Sequence, residues 1–107
     1  MINFETEDDI INFLEGKWES MDKSISFELV GTGIIDIIGV NGFSNTPITK
    51  SRYSLKKDPT RGWLITNTIV LKTDTTGYPI LFLENYRFAI GNWQYPPQIL
   101  MEYNRVF

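Results

Sequence analysis

Cysteine and histidine are both missing from this chain of 107 residues. Without thiols there is no disulfide framework and no thiolate metal site, so the core has to hold by packing alone. Without imidazole the usual general base near neutral pH is gone, together with the commonest nitrogen ligand for zinc, copper or iron. That excludes Ser-His-Asp triads and zinc-hydrolase sites, and any metal would need oxygen ligands. An excess of positive charge is lacking too: 10 Lys and Arg stand against 13 Asp and Glu, a net charge of −3. A general affinity for polyanions is therefore not expected, and no nucleic-acid partner is assigned. No apolar run approaches the roughly 20 residues needed to cross a bilayer, so no membrane span is expected. Residues 1–9 are acidic where a secretory signal would be basic and then apolar, which implies a cytoplasmic location.

What is present is apolar mass. Hydrophobic residues make up 42% and aromatic residues 14%, enough to build a core and unlike the composition of a disordered chain. The length fits one domain over 1–107 and leaves too little for a second. Residues 6–14 read as a short helix. Thr6 is its N-cap, Asp9 stands three residues on, and Glu7, Asp8 and Asp9 sit at the positive end of the dipole. Ile10, Ile11 and Leu14 make an apolar stripe with Phe13 beside it, too short to be stable alone, so the helix serves as a plug on something larger. Gly16 ends it.

Everything after Gly16 reads as strands and turns. Residues 17–21 form a first strand, Asp22-Lys23 a turn, and residues 24–29 alternate with Ile25, Phe27 and Leu29 inward. Gly31-Thr32-Gly33 is a turn. Residues 34–38 are apolar on both faces, and Asn41-Gly42 with Asn45-Thr46-Pro47 makes a longer loop. Residues 48–57 read as one long strand with Lys50, Arg52 and Lys56 on the wet face and Thr49, Ser51, Tyr53 and Leu55 opposite. After a turn at 58–62, residues 63–72 return with Trp63, Ile65, Asn67, Ile69 and Leu71 on one side. Residues 78–90 run with Ile80, Phe82, Glu84, Tyr86, Phe88 and Ile90 in register, unless a break near Glu84-Asn85 shifts it. A loop with Trp93 and Tyr95 precedes a last strand from 98 to 107.

Seven or eight sequential antiparallel strands with short connections make an up-and-down meander, which closes readily into a small barrel and so removes its edges. The order of helix, Leu14-Glu15-Gly16-Lys17-Trp18 and Ile25-Ser26-Phe27-Glu28 resembles the small bacterial lipocalin-like proteins of the calycin group. The resemblance implies a mainly β barrel with the helix plugging one end, Gly16 and Trp18 opening the first strand, and Arg105 of the last strand lying across the tryptophan. The alternative fold is α+β, with the helix packed on a bent antiparallel sheet as in cystatin-like proteins.

Several constellations are candidates for function. A guanidinium over an indole is worth roughly 0.5–2 kcal/mol, so Trp18 with Arg105 reads as structural; the functional reading makes Arg105 an anchor for a carboxylate ligand. Ser51, Tyr53, Asn67 and Glu84 are polar groups on faces that otherwise look interior. Unpaired, each would cost about 1–3 kcal/mol, so they either satisfy one another or line a wet cavity. A solvent-facing Glu84 at a bulge and an Asn67 bonded to nearby backbone is the other reading. Lys50, Arg52, Lys56, Lys57 and Arg61 read as a solvated basic strand. Paired carboxylates would need two interior acids, and only Glu84, with Asp36 after it, is a candidate, so no enzymatic function, cofactor or metal is assigned.

The expected function is non-catalytic binding of a small apolar or amphipathic ligand in the barrel. Tyr53, Asn67, Phe82, Glu84, Tyr86 and Tyr103 are the lining residues and Trp93 the rim. The alternative is a protein-interaction module, of inhibitor or immunity type, that uses the aromatic loop and the acidic surface to hold a protein partner.

Overall fold

The computed structural model describes residues 2–30, 34–40, 50–67 and 70–107. The turns read at 31–33 and within 41–47, the start of the strand read from 48, and Ile69 lie outside the described residues. So do the side chains of 34–40, Asp36 among them, and of Lys50.

The helix α1 (Glu7–Leu14) is fixed at its first turn by Thr6, whose extended backbone lets its hydroxyl accept from the Asp9 amide at 3.2 Å. Three acids in that turn complement the dipole. Eight residues do not hold a helix in water, and here Ile10 and Leu14, both fully buried, fasten it to the sheet. The chain leaves the helix through Gly16 at φ +125°, and a Cβ there would lie 2.8 Å from Arg105 Nη1. The backbone conformation therefore demands glycine at this position, and a side chain there would also push the Arg105 guanidinium aside.

Nine strand segments follow. They are β1 (Gly16–Ser20), β2 (Ile25–Val30), β3 (Ile34–Val40), β4 (Lys50–Arg52), β5 (Ser54–Asp58), β6 (Gly62–Thr66), β7 (Tyr78–Glu84), β8 (Arg87–Gly91) and β9 (Ile99–Arg105). Their lateral order is β4-β3-β2-β1-β9-β8-β7-β6-β5, so each strand lies beside its chain neighbours and the first pairs with the last. The two outermost segments, β4 and β5, are separated in the chain by Tyr53 alone. They are two halves of one interrupted strand, the first pairing with β3 and the second with β6. The sheet thus curls round until its two edges meet in a single stretch of chain. The result is a mainly β, antiparallel, barrel-like fold of eight strands in up-and-down order, with one helix among the described residues. An open bent sheet under the helix would leave two free edges, and here β4 and β5 join them.

The side-chain alternation follows the sequence in β2, where Phe27 and Leu29 are buried, and along the basic strand, where Ser51 and Tyr53 are buried while Arg52, Ser54 and Lys56 are exposed. Two expected strands are corrected. The strand read from 63 to 72 ends at Thr66, because Asn67 turns the chain. Its side-chain oxygen accepts from the Val70 and Leu71 amides at 2.7 and 3.0 Å, and Thr73 closes the loop back onto the Asn67 backbone. An asparagine side chain that captures amides three and four residues on competes directly with a ladder. The strand read from 78 to 90 is a hairpin. It turns at Asn85-Tyr86, with a register shift between Phe82 and Glu84. The turn carries Glu84 and Tyr86 out of the interior face while Phe88 and Ile90 return to it opposite Phe82 and Ile80. No helix among the described residues is long and apolar enough to cross a membrane.

Candidate ligand-binding site

The end of the barrel next to the helix is filled. Trp18 is fully buried, and its indole donates to the Leu14 carbonyl at 2.8 Å, which ties the helix C-terminus to β1. Its ring meets Phe88 edge-on at 4.6 Å; Phe88 stacks on Tyr103 at 4.9 Å, and Tyr103 meets Phe27 at 5.4 Å. These rings leave no space between them for a guest. Burial, with a smaller contribution from the Asp22 carboxylate, pushes the Tyr103 phenol up to about 12. Arg105 covers Trp18 at 4.3 Å and donates to the carbonyls of Glu15, Phe13 and Asn85 at 2.8, 2.5 and 3.4 Å. Each of its three guanidinium nitrogens bonds a carbonyl of the helix C-terminus or the β7–β8 turn, which favours the structural reading of the pair.

The residues expected to line one cavity are scattered. Tyr103 and Phe82 are buried, but Tyr103 belongs to the filled aromatic stack. Tyr53 is buried at the junction of β4 and β5. Asn67 is buried and fully engaged, since its amide group donates to Ser51 Oγ and to the Arg52 carbonyl, both at 2.7 Å, while its oxygen holds the loop. It fastens the interrupted strand to the following loop. Glu84 and Tyr86 are corrected from interior to surface. The turn at Asn85-Tyr86 brings Glu84 to its side, where it accepts from the Tyr86 hydroxyl and pairs with Arg87 at 2.8 Å; Tyr86 is 47% exposed. Glu84 raises the Tyr86 phenol by accepting its proton in that bond and by its charge. Trp93 is no free rim either: it is half-buried with the Arg61 guanidinium 4.6 Å over its ring, while Tyr95 is 78% exposed.

A cavity does form, at a place where the sheet is incomplete. The β6–β7 ladder consists of Leu64 opposite Pro79 and Ile65 opposite Tyr78, so β6 leaves the lower part of β7 uncovered. The N-terminal arm occupies part of that edge. Ile2 bridges Phe82 through its amide, which donates to the Phe82 carbonyl at 2.7 Å, and the Trp63 indole donates to the Phe4 carbonyl at 3.0 Å. Between arm and hairpin lies a pocket of about 190 Å³. Its floor is Ile80, Leu81 and Phe82, one wall is Ile2, Asn3 and Phe4, and the other is Lys57, Arg61, Gly62 and Trp63. Phe4 meets Phe82 edge-on at 4.7 Å, which makes the inner part aromatic.

The polar side of this pocket is cationic. Lys57 places its ammonium 5.8 Å from the Trp63 ring centre. Among the described residues the ion pairs belong to Arg87, and neither Lys57 nor Arg61 has one. Arg61 Nε is buried without a hydrogen-bond partner among the described residues. The nearby acid is Asp58, whose carboxylate accepts from the Thr60 and Arg61 amides, both at 2.9 Å; these bonds hold its carboxyl below the ordinary 3.8. Of the expected lining, this pocket contains Phe82 alone. Phe4 was readable only as part of the acidic N-terminal stretch. Lys57 and Arg61 belong to the basic cluster read as solvated, although their spacing across a Pro-containing turn next to Trp63 was the available signal.

A second depression of about 450 Å³ lies on the surface between the β1–β2 turn and the start of β9, lined by Met21, Asp22 and residues 99–102. No group of three or more acids that could hold a metal ion occurs among the described residues. No protein-family model, curated protein or solved structure matches the chain.

Proposed function

We propose that this chain is a lipocalin-like, non-catalytic binding protein for a small apolar or amphipathic ligand. The observation that carries the reading is the 190 Å³ pocket between the N-terminal arm and the β5–β6 hairpin. An apolar cavity of about 150 Å³ takes up benzene, so the volume suits one ring or a short chain and is too small for a long lipid. The lining brings no carboxylate and no nucleophile–base pair, which favours holding a molecule over transforming it. The closed up-and-down strand order, the helix at one end, Gly16-Lys17-Trp18 at the head of the first strand and Arg105 across the indole support the lipocalin-like assignment. The interaction-module reading has less to work with, since Trp93 is already covered by Arg61.

Thermal shift against a panel of small aromatic and short-chain aliphatic compounds tests the reading. A ligand that binds the folded chain raises the melting temperature in proportion to the logarithm of its concentration above Kd. Binding is expected to perturb the Trp63 indole N–H signal in NMR spectra, because that group is the clasp between hairpin and arm. A panel that leaves both the melting temperature and the Trp63 signal unmoved at millimolar concentration overturns it.

A further inference from the structure

We infer that the pocket beneath the N-terminal arm selects a small organic anion: an aromatic or short aliphatic carboxylate whose apolar body rests on Ile80 and Phe82 and whose charge meets Lys57 and Arg61. This rests on the ligand-binding reading above and adds the chemical class. Three observations converge on it. The volume, about 190 Å³, exceeds a benzene-sized cavity by room for a few more heavy atoms. The apolar and cationic residues are segregated. Ile80 and Phe82 form the floor, while both cations come from the hairpin on one side of the opening. Neither cation has an ion pair among the described residues.

The last point decides between an anion and a neutral guest. An incoming carboxylate can take charge-assisted bonds from the Lys57 ammonium and the Arg61 guanidinium at the pocket wall. A neutral ligand of the same shape gains the apolar contacts but answers a cationic donor less well. Asp58 feels the Arg61 charge but forms no ion pair with it among the described residues, and its Oδ1 accepts from the Thr60 and Arg61 backbone amides. Arg105 provides the contrast within the same molecule: a guanidinium over an indole whose three nitrogens each bond a carbonyl.

The test compares phenylacetate with phenylacetamide, which match in shape and heavy-atom number and differ in charge at pH 7. Affinities are read by calorimetry on the full chain, and occupancy by the indole N–H signals of the tryptophans. Phenylacetate is expected to bind at least tenfold more tightly than the amide and to move the Trp63 signal while leaving that of Trp18, which is bonded to Leu14 at the filled end, in place. Lys57→Gln and Arg61→Gln are each expected to lower the phenylacetate affinity toward that of the amide, and added salt to weaken the acid more than the amide. Equal affinity for the two compounds, with the Trp63 signal moving for both, overturns the anion inference and leaves the pocket standing. Failure of both compounds to move Trp63 overturns the pocket reading along with it.

Discussion

Arg105 and Arg61 both lie over tryptophan rings, 4.3 Å from Trp18 and 4.6 Å from Trp93 respectively, yet the two assemblies differ in what becomes of the donors. The Arg105 guanidinium bonds the carbonyls of Glu15, Phe13 and Asn85. It thereby satisfies the exposed carbonyls at the C-terminus of a short helix, and fastens helix, first strand and last strand together. Arg61 has no such acceptor, and its buried Nε is unbonded among the described residues. The residue pairing is the same, but the neighbouring backbone differs. A cation beside a helix end is engaged in holding the fold, whereas the one at the hairpin tip has no ion pair among the described residues.

The difference can be broken at its strongest point first. Trp18→Ala removes a fully buried indole and should destabilise the chain by about 3–5 kcal/mol. Trp93→Ala, at a half-buried ring, should cost clearly less in the same urea titration. Equal losses would mean that the two ends of the molecule are equally solid.

Tyr103 sharpens the contrast through pH. Its folded value of about 12 lies above the ordinary 10.0. The stabilisation is therefore fully present below pH 10 and is lost as the pH rises from 10 toward 12, where the unfolded phenol ionises and the folded one does not. At about 1.4 kcal/mol per unit the loss is roughly 3 kcal/mol. Tyr103→Phe should flatten that part of the alkaline stability curve, and an unchanged slope would show the aromatic stack to be wetter than its contacts imply.

The smallest effect is the most direct comparison. Arg105→Gln should cost about 1–3 kcal/mol, because three carbonyls lose a charged donor that is only partly shielded from water. Arg61→Gln should stay within about 0.5 kcal/mol. Reversed magnitudes would exchange the roles assigned to the two arginines.

How far these roles could be read from the chain depends on the range of the interaction. The N-cap at Thr6, the alternation of Phe27 and Leu29, and the turn at Asp22-Lys23 are local, and local chemistry leaves a local pattern. The Asp22 turn is closed by the carboxylate accepting from the Ser24 amide and from the Ser20 and Ser24 hydroxyls, bonds that hold its carboxyl below 3.8. Asn67 was visible as an interruption, but two readings fitted it. Cavity lining and backbone bonding differ only in what lies opposite, and the Arg52 carbonyl and Ser51 are fifteen and sixteen residues away. Glu84 was misplaced for a subtler reason. The hairpin at Asn85-Tyr86 has no glycine and, among the described residues, no positive φ there, so the usual two-residue turn signal is absent.

The sequence by itself determined the elements, one short capped helix followed by alternating strands with short connections, which suit a closed meander or a helix on a bent sheet. Only the tertiary structure decided where the meander closes, at Tyr53 between β4 and β5, and where it stays unfinished, along β7 beside Phe82. Closure and gap both follow from relative strand lengths and stagger, which are set by the packing of distant segments. The same stagger brings Phe4, Lys57, Arg61 and Phe82 around one pocket. Their separation in the chain leaves no periodic trace, because a pocket is a property of what is adjacent in space.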